Sequence, residues 1–382
     1  MKPILPCALA VLLSGCFLWS SSDTGPKPSP LPVLSGGNKV IVDSWRQRTG
    51  ALSPAVLRPA AVASSVFAAA ADGTLARYEA GRELWKVRAA QSLSSGVAAD
   101  GKLVVVASTA GELLAFDSNT GKSLWRVQLG GEVSGLPLIA DDVVVVRVGD
   151  NQVLAYNTAD GKRRWVYQRA QSSLTLRAQS GFTQVGDTVL AGFSGGKLVS
   201  LSLAGGFPRW EATVALPRGT SELERLTDLV GEPVVRGDSV CVVAYQSRVA
   251  CLDAVRGTVR WTRDVASTVG GDADATQLYV TDNTGAVQAL DIATGATTWK
   301  QDKLLWRGVG RPLVLANGDL AVSDQQGWVH LLSAKEGRFV GRLEVDSSGI
   351  NAPLVRAAGS SFVAQARDGT VHALNIPEVA AK

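Results

Sequence analysis

Apolar and polar positions along the chain alternate over short stretches, and outside one insertion no useful length carries a helical period. The interval before Trp165 shows the theme. An extended segment, Gly135-Leu136-Pro137-Leu138-Ile139, precedes the β-branched run Val143-Val144-Val145-Val146 and a turn at Gly149-Asp150-Asn151. A second strand, Val153-Leu154-Ala155-Tyr156, leads into an Asp–Gly turn and then a strand that carries the Trp. This predicts four antiparallel strands in about 42 residues, joined by the turns that Gly, Asn and Asp permit.

The theme recurs. AFDSNTGKSLW (115–125) returns as YNTADGKRRW (156–165), LDAVRGTVRW (252–261) and LDIATGATTW (290–299), with looser copies ARYEAGRELW (76–85) and LSLAGGFPRW (201–210). The Trp positions are Trp85, Trp125, Trp165, Trp210, Trp261 and Trp299, and Gly341 stands in the seventh place. The steps are 40, 40, 45, 51, 38 and 42 residues, and four-stranded units at such a period are propeller blades. An eighth unit begins at Ile350, continues through 362–366 and 370–375, and stops one strand short. The surplus strand at the other end, Val40-Ile41-Val42-Asp43-Ser44-Trp45, completes it and removes an open edge. The expected fold is an all-β, eight-bladed propeller of four-stranded antiparallel blades over residues 39–382.

Each part of the unit has a mechanical task. Asp117 or Asp291 can accept from the amides of its own turn, and Gly121 or Gly295 supplies a positive φ. The six Trp residues can wedge between blades as structural docking positions and bond through the indole N–H. Gly341, lacking that ring, predicts a weaker seam after blade seven.

Composition adds an address and removes some functions. Lys2, the apolar residues 4–13 and Leu13-Ser14-Gly15-Cys16 form a leader over 1–15 ending in a sequence similar to the bacterial lipobox, with Cys16 as the lipidated residue. Phe17 replaces the Asp that, by family analogy, retains a lipoprotein in the inner membrane, so the inner, periplasmic face of the outer membrane is expected. Residues 16–38 read as the lipidated Cys and a flexible Ser/Pro/Gly tether, reaching up to about 60 Å. Net charge is +4 with no basic run longer than Lys162-Arg163-Arg164, which argues against nucleic acid. The two histidines, His330 and His372, have no second ligand at metal spacing, and no nucleophile–base arrangement or phosphate loop is visible.

The spaced Asp–Gly–Trp unit resembles the tryptophan-docking motif of the quinoproteins, whose dehydrogenases hold pyrroloquinoline quinone and Ca²⁺ over the ring axis. That resemblance speaks to the scaffold. Catalytic insertions and a vicinal Cys pair are missing, so the chain reads as a non-enzyme with no cofactor and no metal. A periplasmic quinoprotein-like dehydrogenase or quinone sensor is the rival reading. Carbohydrate binding has no aromatic platform in its favour.

A lipobox, a Ser/Pro tether and a propeller of this length resemble the BamB family of outer-membrane β-barrel assembly lipoproteins. Asp302-Lys303-Leu304-Leu305, Glu344-Val345-Asp346-Ser347-Ser348-Gly349 and Asp368-Gly369-Thr370-Val371 carry the likeness most specifically. The resemblance implies binding to the periplasmic POTRA domains of BamA within the BAM complex, with unfolded outer-membrane proteins as clients. Independently, the two long steps mark insertions around 170–177 and 217–231, where binding residues accumulate. Leu174 and Leu176 beside Arg177 have a hot-spot composition, and Ser221 can cap a short helical turn over 221–226. In the family, the corresponding Leu-x-Leu-Arg and acidic residues of the next loop meet BamA. Asp228 matches the first acid, while Val230 replaces the second. The alternative is that Leu174 and Leu176 plug the underside of the ring. Strand addition by a client at a blade edge is a weaker second activity.

Once Cys7 leaves with the leader and Cys16 is acylated, Cys241 and Cys251 remain, flanking the hairpin VCVVAYQSRVAC. A turn around Gln246 puts them opposite each other, and either a bridge or two free thiols is compatible with the sequence.

Overall fold

The computed structural model describes residues 25–34, 39–50, 56–133, 135–149, 151–170, 180–217, 220 and 226–377. Among these residues all regular elements are strands, arranged as eight four-stranded antiparallel sheets. Blades one to seven span 60–88, 98–128, 138–168, 182–213, 229–263, 271–301 and 313–344. In blade eight, Val42–Arg48 pairs with Thr370–Asn375, followed by Ser361–Gln365 and Val355–Arg356. The chain's two ends thus share one sheet, as the strand count predicts.

The burial pattern explains the sequence pattern. Strand Val143–Val148 is buried throughout because its blade is sandwiched between two others, whereas the outermost strand Arg163–Gln168 fully buries only Trp165. A hydrophobic cluster fills each of the eight seams between consecutive blades. One of them joins Val105 and Leu113 of blade two to Val144 and Val146 of blade three.

The turn units lock these seams. Asp117 Oδ1 accepts from the amides of Asn119 and Thr120, and Asp291 Oδ1 accepts from those of Ala293 and Thr294. Trp85 Nε1 donates to the Ser118 carbonyl of the next blade at 3.0 Å, and Trp125 Nε1 to that of Thr158 at 2.8 Å. Trp165, Trp261 and Trp299 make the equivalent bonds to Leu203, Ile292 and Ala334. Gly121 has φ +69°, and a Cβ there would come within 2.8 Å of the Trp85 ring. The glycine is therefore needed twice, for its dihedral and for the indole resting on it. Gly257 stands in the same relation to Trp210.

The seam after blade seven differs. A Cβ on Gly341 would lie 2.4 Å from the Lys39 carbonyl, because the start of the folded chain occupies the place a Trp would take. Lys39 N donates to Val340 O at 2.7 Å, Lys39 Nζ pairs with Asp319 at 2.6 Å, and Ile41 fills the seam cluster beside Val340 and Leu331. Upstream, Ser29 N donates to Leu305 O at 2.9 Å. Arg307 donates to the Ser29 carbonyl at 3.0 Å and Arg342 to that of Pro32 at 2.6 Å. Pro32 is buried and Leu34 packs on the cluster between blades six and seven. Residues 29–34, expected within a free tether, are laid against the ring because its arginines offer donors to proline-interrupted backbone. Cys16 lies outside the described residues.

Candidate functional site

The described ends of the two insertions lie where the innermost strands of blades four and five begin. Leu174, Leu176, Arg177 and most of the expected helical turn at 221–226 lie outside the described residues. The ends of both insertions are described, and they touch. Ser180 and Gly231 form a parallel bridge, Gly181 N donates to Gly231 O at 3.2 Å, and Thr183 Oγ1 donates to the Pro233 carbonyl at 2.6 Å. Asp228 is only 7% exposed, and its carbonyl accepts from Tyr245 N at 2.8 Å. Val230 pairs with Val243 across the strands and packs into the cluster between blades five and six.

The innermost strand of blade five, Leu229–Arg236, shifts register between Val230 and Val234. That bulge, with Gly231 at φ +70°, swings Glu232 toward the axis. There Arg58 of the segment entering blade one and Arg311 of the segment entering blade seven each donate to one carboxylate oxygen of Glu232, the latter at 2.6 Å. Burial works against the charged form of Glu232, but the two guanidiniums more than offset it and hold the carboxyl down to about 2. Along the axis beside this group, Asp272 of blade six accepts from Arg236 of blade five, the Val314 amide of blade seven and Arg356 of blade eight. The Glu232 group lines a cavity of about 670 Å³ that also takes in Leu136, Gly181, Val230 and Pro353.

The other candidates have structural partners. His330 and His372 are buried, His330 against Asp324 and His372 against Asp43. Among the described residues no group of three or more His, Cys, Asp or Glu side chains is placed to hold a metal ion. Cys241 and Cys251 lie opposite each other, with Cα atoms 4.0 Å apart, and are bridged inside blade five.

Sequence reasoning missed two features. Trp45 packs over Gly81, where a Cβ would meet its side chain at 2.9 Å, so it is the docking Trp of blade eight. Its spacing was the available signal, because 85 − 45 = 40 repeats the first two steps. Glu232 had no such signal, since its partners are 174 and 79 residues away.

The model of the family described as "Outer membrane protein assembly factor BamB" matches residues 71–301 and 285–378. An outer membrane protein assembly factor BamB of Bordetella pertussis is 38% identical over 344 residues, covering 89% of this chain and 88% of the relative. The chain belongs to the BamB family. The crystal structure of BamB from Moraxella catarrhalis superposes with a TM-score of 0.81 at 25% identity, over 88% of this chain and all of that one. A quinohemoprotein alcohol dehydrogenase from Comamonas testosteroni shares the fold alone, with a TM-score of 0.69 and 11% identity over 90% of this chain and 77% of its own. The axis of this BamB-family ring does not fit the quinone and calcium that the quinoprotein resemblance implies. Both oxygens of its central carboxylate, Glu232, are taken by arginines rather than left for a cation. The cysteine bridge sits within a blade and is absent from the residues lining the axial cavity.

Proposed function

We propose that this chain is a non-catalytic scaffold of the outer-membrane β-barrel assembly complex. It hangs from Cys16 at the periplasmic face of the outer membrane and binds the POTRA domains of BamA. Leu174, Leu176 and Arg177 are the contact residues. Asp228, at the described end of the neighbouring insertion, supplies the acidic part of the same site. The observation that supports this reading is the Ser180–Gly231 bridge, which brings the ends of two insertions from different interblade connections to one place. Loops longer than their scaffold needs, gathered on one rim, are where binding residues collect. Membership of the family supports the assembly role and the outer-membrane address.

The test is the combined variant Leu174→Ala, Leu176→Ala, Arg177→Ala. It is expected to lose co-purification with BamA from outer membranes while the ring still melts in one cooperative transition. Undiminished co-purification would remove these residues from the site.

A further inference from the structure

The segment that carries the acidic half of the proposed rim also carries the ring's central ion cluster, and nothing in the docking role requires that. Asp228, the Gly231 bridge and Glu232 fall within five residues of one strand and its entry. Gly181, at the end of the other insertion, lies so close to Glu232 that a Cβ there would meet its Cγ at 2.4 Å. Glu232 therefore touches the junction of both insertions on one side and, through Arg58 and Arg311, blades one and seven on the other. The side chains of Glu232, Arg58 and Arg311 are 20%, 23% and 16% exposed, which leaves little carboxylate surface to meet a partner.

We propose that Glu232 is a positioning residue for the docking rim: by tying blade five across the axis to blades one and seven, it fixes the segments 180–181 and 226–233 in the arrangement a partner binds. The inference rests on the docking reading above. Paired charges at short range are directional through their hydrogen bonds, and removing one partner strands the others. Glu232→Gln keeps the shape and one acceptor but leaves the two guanidiniums without the charge they share. The bulge at 231–233, where the pairing with Ser239–Ala244 is interrupted, then loses its tie across the axis.

Two measurements on the full-length protein test this. BamA binding by Glu232→Gln is expected to weaken about tenfold, and by Arg58→Gln comparably, with the double variant no weaker than the worse single one. Amide exchange should rise at Gly181 and through 229–236 while the far blades keep their protection. Unchanged binding by Glu232→Gln, in a background where the Leu174/Leu176/Arg177 variant has lost it, would overturn the inference and leave the docking site standing. Additive losses in the double variant would overturn it too, by making Glu232 a direct contact, as would exchange rising evenly around the ring. If the Leu174/Leu176/Arg177 variant still binds, the docking reading fails separately. Exchange at Gly181 in Glu232→Gln then decides whether the tie holds the rim.

Discussion

Two kinds of seam hold this ring, and they are built from opposite ends of the chain's contact range. In the Trp seams the indole and the carbonyl it bonds are 31 to 38 residues apart, so each seam closes within one unit of sequence. Where the start of the folded chain is laid along blade seven, the contacts join Lys39 to Asp319, Ser29 to Arg307 and Pro32 to Arg342, across 280, 278 and 310 residues. Closing a loop of about 300 residues rather than about 35 costs roughly 2 kcal/mol more in chain entropy. Consecutive blades can thus dock as each is completed, while the last closure must wait for the whole ring. A single aromatic anchor suits the first case. The second uses a spread of backbone and charged contacts along residues 29–41, continued by the strand Val42–Arg48.

The comparison would break most visibly if that terminal segment were dispensable. A chain beginning at Thr49 lacks the outer strand of blade eight, the Ile41 packing and Trp45 over Gly81, so two seams fail together. The expected loss exceeds the ~5 kcal/mol ceiling of single core truncations. The bare edge of Thr370–Asn375 should also promote association. Urea unfolding followed by size exclusion measures both. A truncated chain that melts like the full one, as a monomer, would show that the Trp seams hold the ring unaided.

Single side chains sharpen the contrast. Trp125→Ala removes an 8%-exposed ring and an interblade hydrogen bond, and is expected to cost about 3–5 kcal/mol in urea melts. Lys39→Ala removes one ion pair whose ammonium side is 40% exposed, and should cost less than about 1 kcal/mol. Equal losses would mean that the terminal seam also depends on one anchor.

The same difference in range explains what could be read from the sequence. Blade number, the turn Asp and Gly, the docking Trp and the shared last blade were legible because each is local and repeated. Trp45 was legible in its spacing, though its unit is split between the chain ends. The packing of Ser29 and Pro32 was not legible, because Ser, Pro and Gly composition describes the segment alone and not the arginines some 300 residues away that receive it. Glu232 was hidden for the same reason, with the added obstacle of a bulge that redirects one residue of an otherwise ordinary strand. Of the proposed docking rim, the sequence showed where the spacing breaks and, because the breaks fall in consecutive units, that the insertions neighbour each other, but not that the contact is made at Ser180 and Gly231.

Acid should separate the two seams by the smallest margin and the most specific signature. The hydrogen bonds of the Trp seams join indoles to carbonyls, and neither group titrates. Under the terminal segment, Arg307 donates to Asp324 at 2.7 Å and to the Ser29 carbonyl, while His330 shares the same Asp324 oxygen at 3.1 Å. Burial pushes the His330 imidazole below its ordinary 6.5, with Asp324 only partly opposing it, so the ring is neutral in the fold near pH 7. For a group depressed by folding, the unfolded chain binds the proton first. Stability is therefore full above the ordinary value and falls as pH drops through it toward the folded one. Burial tends to raise Asp324, but its bonds from His330, Trp328 N and Arg307 outweigh that and hold it below the ordinary 3.8, so it adds a second loss at lower pH. A protonated His330 also places a second cation against the carboxylate that orients Arg307. Between pH 7 and 5, the amides of Ser29 and Lys39 should lose exchange protection, after correction for the intrinsic rate, while the Trp85 and Trp125 indole N–H groups keep theirs. Should the indoles lose protection in step, acid would be loosening the ring as a whole and the terminal seam would have no titration of its own.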